Sequence, residues 1–93
     1  MLKFKNTKQF RKDLTRMIKS GKNVEIFREV AERLTNEIPL ERKYKDHKLV
    51  GKYKGHRECH LQPDWLLIYY IKEDTITFVR TGTHVDLFKK KGS

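Results

Sequence analysis

The segment Trp65-Leu66-Leu67-Ile68-Tyr69-Tyr70-Ile71 narrows what this chain can fold into more than any other stretch. It is apolar at almost every position, where a half-exposed strand would alternate. A strand of that kind belongs inside a sheet, with both faces covered. The turn residues Gln62-Pro63-Asp64 and Glu73-Asp74 bracket it. Arg57 to Leu61 and Thr75 to Thr81 read as the strands on either side.

The first half supplies cover for that sheet. Leu2 and Phe4 alternate with lysines and predict a short first strand with one buried face. Asn6 or Thr7 offers an N-cap, and Phe10, Leu14, Met17 and Ile18 follow at helical spacing as far as the Ser20-Gly21 stop. A second helix begins near Asn23, with Val24, Phe27, Val30, Ala31 and Leu34 on one stripe, and ends between Asn36 and Pro39. Two such helices with a tight link predict a hairpin. Residues 40 to 55 are polar and charged and read as an exposed loop. The expected fold class is α+β, in the order β-α-α-β-β-β, with the helical hairpin packed on a small, mainly antiparallel sheet. A single domain over residues 1–93 is expected, with 89–93 as a frayed basic tail.

Charge limits the partners. Lysine and arginine number 22 against 12 acidic residues, a formal charge of +10. Such a surface attracts phosphate backbones, anionic membranes or acidic proteins. Solubility alone also explains it. Cys59 is the one cysteine, which excludes an intrachain disulfide and a cysteine-cluster zinc site. Met1 to Lys5 lacks the apolar run of a signal peptide, and no stretch approaches the ~20 apolar residues of a membrane span. A cytoplasmic protein with no membrane association is expected.

Chemistry concentrates near the strand ends. A two-residue turn at Glu73-Asp74 pairs Lys72 with Thr75, puts Arg80 opposite Leu67 and brings His84 level with Pro63. His60, Asp64, Trp65 and His84 are therefore expected at one end of the sheet. Two imidazoles and a carboxylate near an arginine suit acid–base work near neutral pH. RNA carries its own nucleophile, the 2′-hydroxyl, so its cleavage needs a base, an acid and cations around the phosphorane. Trp65, Tyr53 or Phe88 could stack on unpaired bases. Each residue also has a plainer role. Trp65 heads an apolar strand and suits the core, Asp64 after Pro63 suits a turn, and Arg80 suits a solvated strand. His56 has no assigned work, and Cys59 between His56 and His60 makes a poor metal ligand set. No metal and no cofactor are expected.

Four blocks follow in order: Asp46-His47-Lys48-Leu49-Val50-Gly51, Gly55-His56-Arg57-Glu58-Cys59-His60, Pro63-Asp64-Trp65-Leu66-Leu67-Ile68-Tyr69, and Val79-Arg80-Thr81-Gly82-Thr83-His84-Val85-Asp86-Leu87-Phe88. This series resembles the YafQ group of RelE-type toxins, strongly over residues 42 to 88. The resemblance implies a RelE-like fold and a toxin of a type II toxin–antitoxin system that cleaves mRNA during translation. It places His47, His60, Asp64 and His84 at catalytic positions, with Arg80, Trp65 and Phe88 binding substrate or supporting the transition state. The implied partners are a cognate antitoxin, the ribosome and mRNA, with operator DNA met only through the antitoxin. Members of the group often have tyrosine where this chain has His56. Two rivals share the fold or the charge: a gyrase-targeting toxin of the ParE type, and a ribosome- or RNA-binding inhibitor that does not cut.

Overall fold

The structure is a computed structural model that describes residues 1–88. The apolar segment forms β4 (Trp65–Lys72), the middle strand of five. Around it lie β1 (Lys3–Asn6), α1 (Lys8–Lys19), α2 (Val24–Thr35), β2 (His47–Lys48), β3 (Arg57–Gln62), β5 (Thr75–Gly82) and α3 (His84–Phe88). The strand order is β1-β5-β4-β3-β2, with β1 parallel to β5 and the remaining pairs antiparallel. This is the expected α+β arrangement of a helical hairpin on a mainly antiparallel sheet. No helix among the described residues is long and apolar enough to cross a membrane. The expected basic tail at 89–93 lies outside the described residues.

Both faces of β4 are covered. Trp65, Leu67 and Tyr69 meet Phe10, Met17, Val30 and Leu34 from the helical hairpin. On the opposite face Leu66 and Ile68 meet Leu87 of α3, flanked by Leu49, Tyr53 and Val79. Full burial of each such side chain stabilises the fold by about 1.5–3 kcal/mol, which is why the segment must run through the centre.

The hairpin is set by local polar contacts. Thr7 is the cap of α1: its Oγ1 accepts the Phe10 N–H at 2.9 Å and donates to the Val79 carbonyl at 2.8 Å. That second bond ties the start of α1 to β5. After Ser20 the chain reverses through Gly21 at φ 103°, a left-handed conformation that favours glycine. Asn23 Oδ1 then accepts the Glu25 N–H at 2.9 Å and opens α2.

Four expectations are corrected. β1 has no buried face: Leu2, just before it, is covered where its N–H bonds Thr35 at the end of α2, whereas Phe4 is 65% exposed. Residues 40–55 are more ordered than a plain loop, with 3₁₀ turns at Arg42–Tyr44 and Gly51–Tyr53 around β2 and with Tyr44 buried. The anchor there is the partly buried Asp46, whose Oδ1 accepts from the Tyr69 hydroxyl at 2.6 Å and from Arg57 Nε at 3.2 Å. A short helix, α3, follows β5. Finally, Lys72 does pair with Thr75, but Arg80 lies opposite Ile68 and not Leu67, because the β4–β5 register shifts between Ile68 and Tyr69. One extra residue, Val79, is accommodated on β5 as a bulge.

Candidate active site

That bulge decides which face Arg80 joins. Directly paired residues on neighbouring strands share a face, and a one-residue slip exchanges faces. The register links His47 to Glu58, Glu58 to Ile68 and Ile68 to Arg80, a single row across β2, β3, β4 and β5. The next row runs from His60 through Leu66 to Gly82. His47, His60 and Arg80 thus belong to the sheet face opposite the helical hairpin, where α3 also packs.

Gly82 lets α3 come close enough to contribute His84. A Cβ built at residue 82 would stand 2.9 Å from Asp86 Cβ, so only glycine admits the helix at this distance. Thr83 and Asp86 cap each other reciprocally: Asp86 Oδ2 accepts the Thr83 N–H at 2.9 Å and Thr83 Oγ1 accepts the Asp86 N–H at 3.1 Å. His84 is the first residue of the helix so fixed.

Asp64, in the β3–β4 turn, holds His84 from the other side. Its Oδ1 accepts the His84 backbone N–H at 3.0 Å and lies 2.7 Å from Nδ1 of the ring. The backbone bond first, then the ring bond, hold the Asp64 carboxyl below the usual aspartate range, helped by the charge of Lys22. An ionised carboxylate only accepts, so the Nδ1 proton faces Asp64 and Nε2 is left for proton transfer. The His60 ring meets the His84 ring edge-on at 5.8 Å, and the two line one groove of about 710 Å³ with Tyr44, Gln62 and Pro63. His47 stands beyond His60, 6.4 Å between ring centroids.

A carboxylate joins His47 and His60. Glu58 Oε1 lies 3.4 Å from His47 Nε2 and 3.6 Å from His60 Nε2, and its side chain is 7% exposed. His47 Nδ1 lies 2.7 Å from the Lys45 carbonyl, which orients that ring from behind.

Arg80 is held apart from this groove. Its Nε donates to Asp13 Oδ2 at 2.7 Å and its Nη2 to Oδ1 at 3.3 Å, and the bond to Asp13 strengthens its hold on the proton. Asp13 also accepts the Thr81 N–H at 3.2 Å. That donor is free of strand pairing because β1 ends at Asn6, opposite Phe78. Arg80 lines a separate cavity of about 290 Å³ with Lys12, Arg16, Val85 and Asp86.

The other predicted residues divide by burial. Trp65 is 0% exposed and its Nε1 donates to Thr81 Oγ1 at 2.9 Å, so it has no face to offer a base; the core role is the correct one. Phe88 is half-exposed and meets Tyr53 edge-on at 6.1 Å, and Tyr53 meets His56 at 5.6 Å, which leaves stacking to this aromatic edge. Cys59 is buried and its thiol is pushed up by that burial, so it is no nucleophile. Among the described residues no group of three or more His, Cys, Asp or Glu side chains is placed to hold a metal ion.

Glu58 and Asp13 were not singled out from the sequence, yet each left a signal. Glu58 and His60 are two apart on a strand, hence on one face. Asp13 falls between Phe10 and Met17 on the buried stripe of α1, where a lone charge requires a partner.

The YafQ family model, described as a bacterial toxin of a type II toxin–antitoxin system, matches residues 2–89. The mRNA interferase toxin YafQ of Escherichia coli is 49% identical over 55 residues, 59% of this chain and 60% of that protein, so the aligned part is under two thirds of that relative. A metal-bound toxin from Helicobacter pylori superposes with a TM-score of 0.89 at 47% identity, covering 95% of this chain and 100% of that one. The E. coli DinJ–YafQ toxin–antitoxin complex contains a chain with a TM-score of 0.86 and 37% identity, over 95% of this chain and 99% of its own. The match over nearly all described residues, with the same fold, means that this chain belongs to the YafQ family of toxins of type II toxin–antitoxin systems.

Proposed function

We propose that the protein is a ribosome-dependent endoribonuclease that cleaves translated mRNA by metal-independent acid–base catalysis. The observation that carries this reading is the Asp64–His84–His60 arrangement, with Asp64 on Nδ1 of His84 and the two rings in one groove. One imidazole takes the proton of the RNA 2′-hydroxyl as its oxygen attacks phosphorus. The bond from phosphorus to the 5′ oxygen breaks, the 5′ oxygen receives a proton from the other imidazole, and a 2′,3′-cyclic phosphate remains. Glu58 steadies His60 and His47, and His47 shares proton transfer or positions the RNA. Arg80, fixed by Asp13 in the neighbouring cavity, offers charge to the RNA backbone beside the groove, and Phe88 with Tyr53 stacks on a base.

The relatives support a reading of the surrounding biology. The E. coli protein is an mRNA interferase by name and its counterpart is solved with DinJ. A cognate antitoxin that covers the groove is the expected partner here, and contact with operator DNA runs through that antitoxin. The ribosome and mRNA place the action in the cytoplasm.

Primer extension on a defined mRNA in a translation extract tests the reading, comparing wild type with His84→Ala and His60→Ala. Cuts at discrete codons that need translation and fade in both variants are expected. Arrest of translation with intact mRNA would replace the nuclease with a blocking protein. Cutting should persist when EDTA is added and ribosomes are kept intact by balanced magnesium. Loss of cutting that zinc or copper restores would overturn the metal-free mechanism.

A further inference from the structure

The groove of His60 and His84 has two unlike walls. Beside the β3–β4 turn it is lined by Lys43 and Lys45 from the 3₁₀ segment and by Ile26 and Glu29 from α2. Two lysines suit a phosphate backbone, which they position without reading its sequence. The α2 wall suits something else. Glu29 is the one acid among the residues that line the groove, in a chain of formal charge +10. A carboxylate repels phosphate, so this wall is unsuited to the backbone.

The helix itself has little use for an acid at that position. The helix dipole favours an acid in the first turn, where Glu25 already stands, and its effect fades beyond. Glu25 is paired with Arg28 at 2.7 Å, and across the groove Lys43 is paired with Glu41 at 3.6 Å. Among the described residues no cation stands within ion-pair reach of Glu29, and its side chain makes no hydrogen bond. An exposed carboxylate with both oxygens open therefore shares a groove with the two imidazoles.

We infer that Glu29 is a specificity-determining residue that reads a guanine base of the message adjoining the cut. The inference rests on the nuclease reading, which supplies the RNA. An ionised carboxylate only accepts, and two parallel donors satisfy both of its oxygens. Among the four bases only guanine offers that pair, N1–H beside the N2 amino group on its Watson–Crick edge. Adenine and cytosine place one amino donor next to a ring nitrogen that accepts, and uracil flanks its N–H with two carbonyls. Unpaired RNA bases are open to reading on this edge. Ile26, half-buried on the same wall, gives the base an apolar contact.

Cut sites are mapped by primer extension in a translation extract, on messages that differ only in the two nucleotides flanking the cut. Wild type is compared with Glu29→Ala, Glu29→Gln and Glu32→Gln. Glu32 is an exposed acid of the same helix that does not line the groove. Wild type is expected to favour guanine at one flanking position, and Glu29→Ala to lower that preference by about 5- to 150-fold, the worth of a bidentate base contact. Glu29→Gln should shift the preference toward adenine, whose donor and acceptor match an amide. A role of Glu29 in helix stability alone would not produce that exchange, and an unchanged urea midpoint confirms that each variant is folded. Glu32→Gln removes the same charge and should leave the profile as it is. Cutting with no guanine preference, a preference that survives Glu29→Ala, or an equal change in Glu32→Gln overturns this inference and leaves the nuclease reading standing. Intact mRNA with wild type overturns both.

Discussion

Asp13 and Asp64 each hold a basic side chain at or just beyond the C-terminal part of β5, one from α1 and the other from the β3–β4 turn. Asp13 is 2% exposed and binds Arg80, the Thr81 N–H and Gln9 Nε2, so all its acceptor capacity is used inside the protein. The Asp64 side chain is 62% exposed and spends one oxygen on the backbone N–H and the ring Nδ1 of His84. A buried carboxylate with saturated bonds fixes geometry. An exposed one that holds a single imidazole orients a group while leaving it open to solvent and substrate. The same residue type therefore does structural work at one end of an arginine and chemical work at the end of a histidine.

Removing each basic partner or acid should separate those roles. His84→Ala deletes a proton-transfer group, so mRNA cleavage should fall by about 10²- to 10⁴-fold with an unaltered urea midpoint. Retention of most of the cleavage would take His84 out of the mechanism. Asp13→Ala should do the reverse in kind, lowering unfolding stability by about 3–5 kcal/mol because Arg80 and the Thr81 N–H lose a shared buried acceptor. A change near zero in a urea titration would mean that water replaces the carboxylate and that the pair is not a structural anchor.

How far this contrast could be read from the chain depends on range. The central strand, the hairpin helices and a cap at Asn6 or Thr7 were legible because their signals are local: an apolar run, a stripe and a short polar residue before it. The gathering of His60, Asp64 and His84 followed from turn length. The face of Arg80 did not, since the Val79 bulge costs no recognisable residue and becomes visible only when β5 is laid on β4. β2 is two residues long and exists because Asp46 finds Tyr69 and Arg57, contacts 23 and 11 residues away in sequence. α3 was legible and missed: Thr83-His84-Val85-Asp86 before Leu87 is a capping pattern, but the helix it opens is only five residues long.

Gly82 connects the two aspartate systems, because Asp86 packs on it and also pairs with Arg16, which neighbours Asp13. Gly82→Ala forces its new methyl against Asp86 and should cost about 1–3 kcal/mol as α3 is pushed outward. Cleavage should drop further than stability predicts, since His84 moves with α3 while Asp64 stays in its turn. A crystal structure of the variant with the His84–Asp64 contact kept at its present length would show that the helix yields elsewhere.

The smallest effect expected is the pH response of Asp64. Its carboxyl is held down by the His84 backbone N–H and ring, so its folded-state value lies below the ordinary aspartate value of about 3.9. A depressed carboxyl contributes stability that is present above the ordinary value and is lost as pH falls through the folded one. The contact with His84 should therefore be intact at neutral pH and loosen only on the acid side of about pH 4. Because the group is exposed, the change in unfolding free energy is small, and a carboxyl-carbon NMR titration reads it more directly. The Asp64 midpoint should lie below the ordinary value in wild type and move only part of the way back in His84→Ala, which loses the ring but keeps the backbone N–H. A wild-type midpoint already at the ordinary value would mean that the bond is too loose in solution to fix the tautomer of His84, and the difference between the two aspartates would then be one of burial alone.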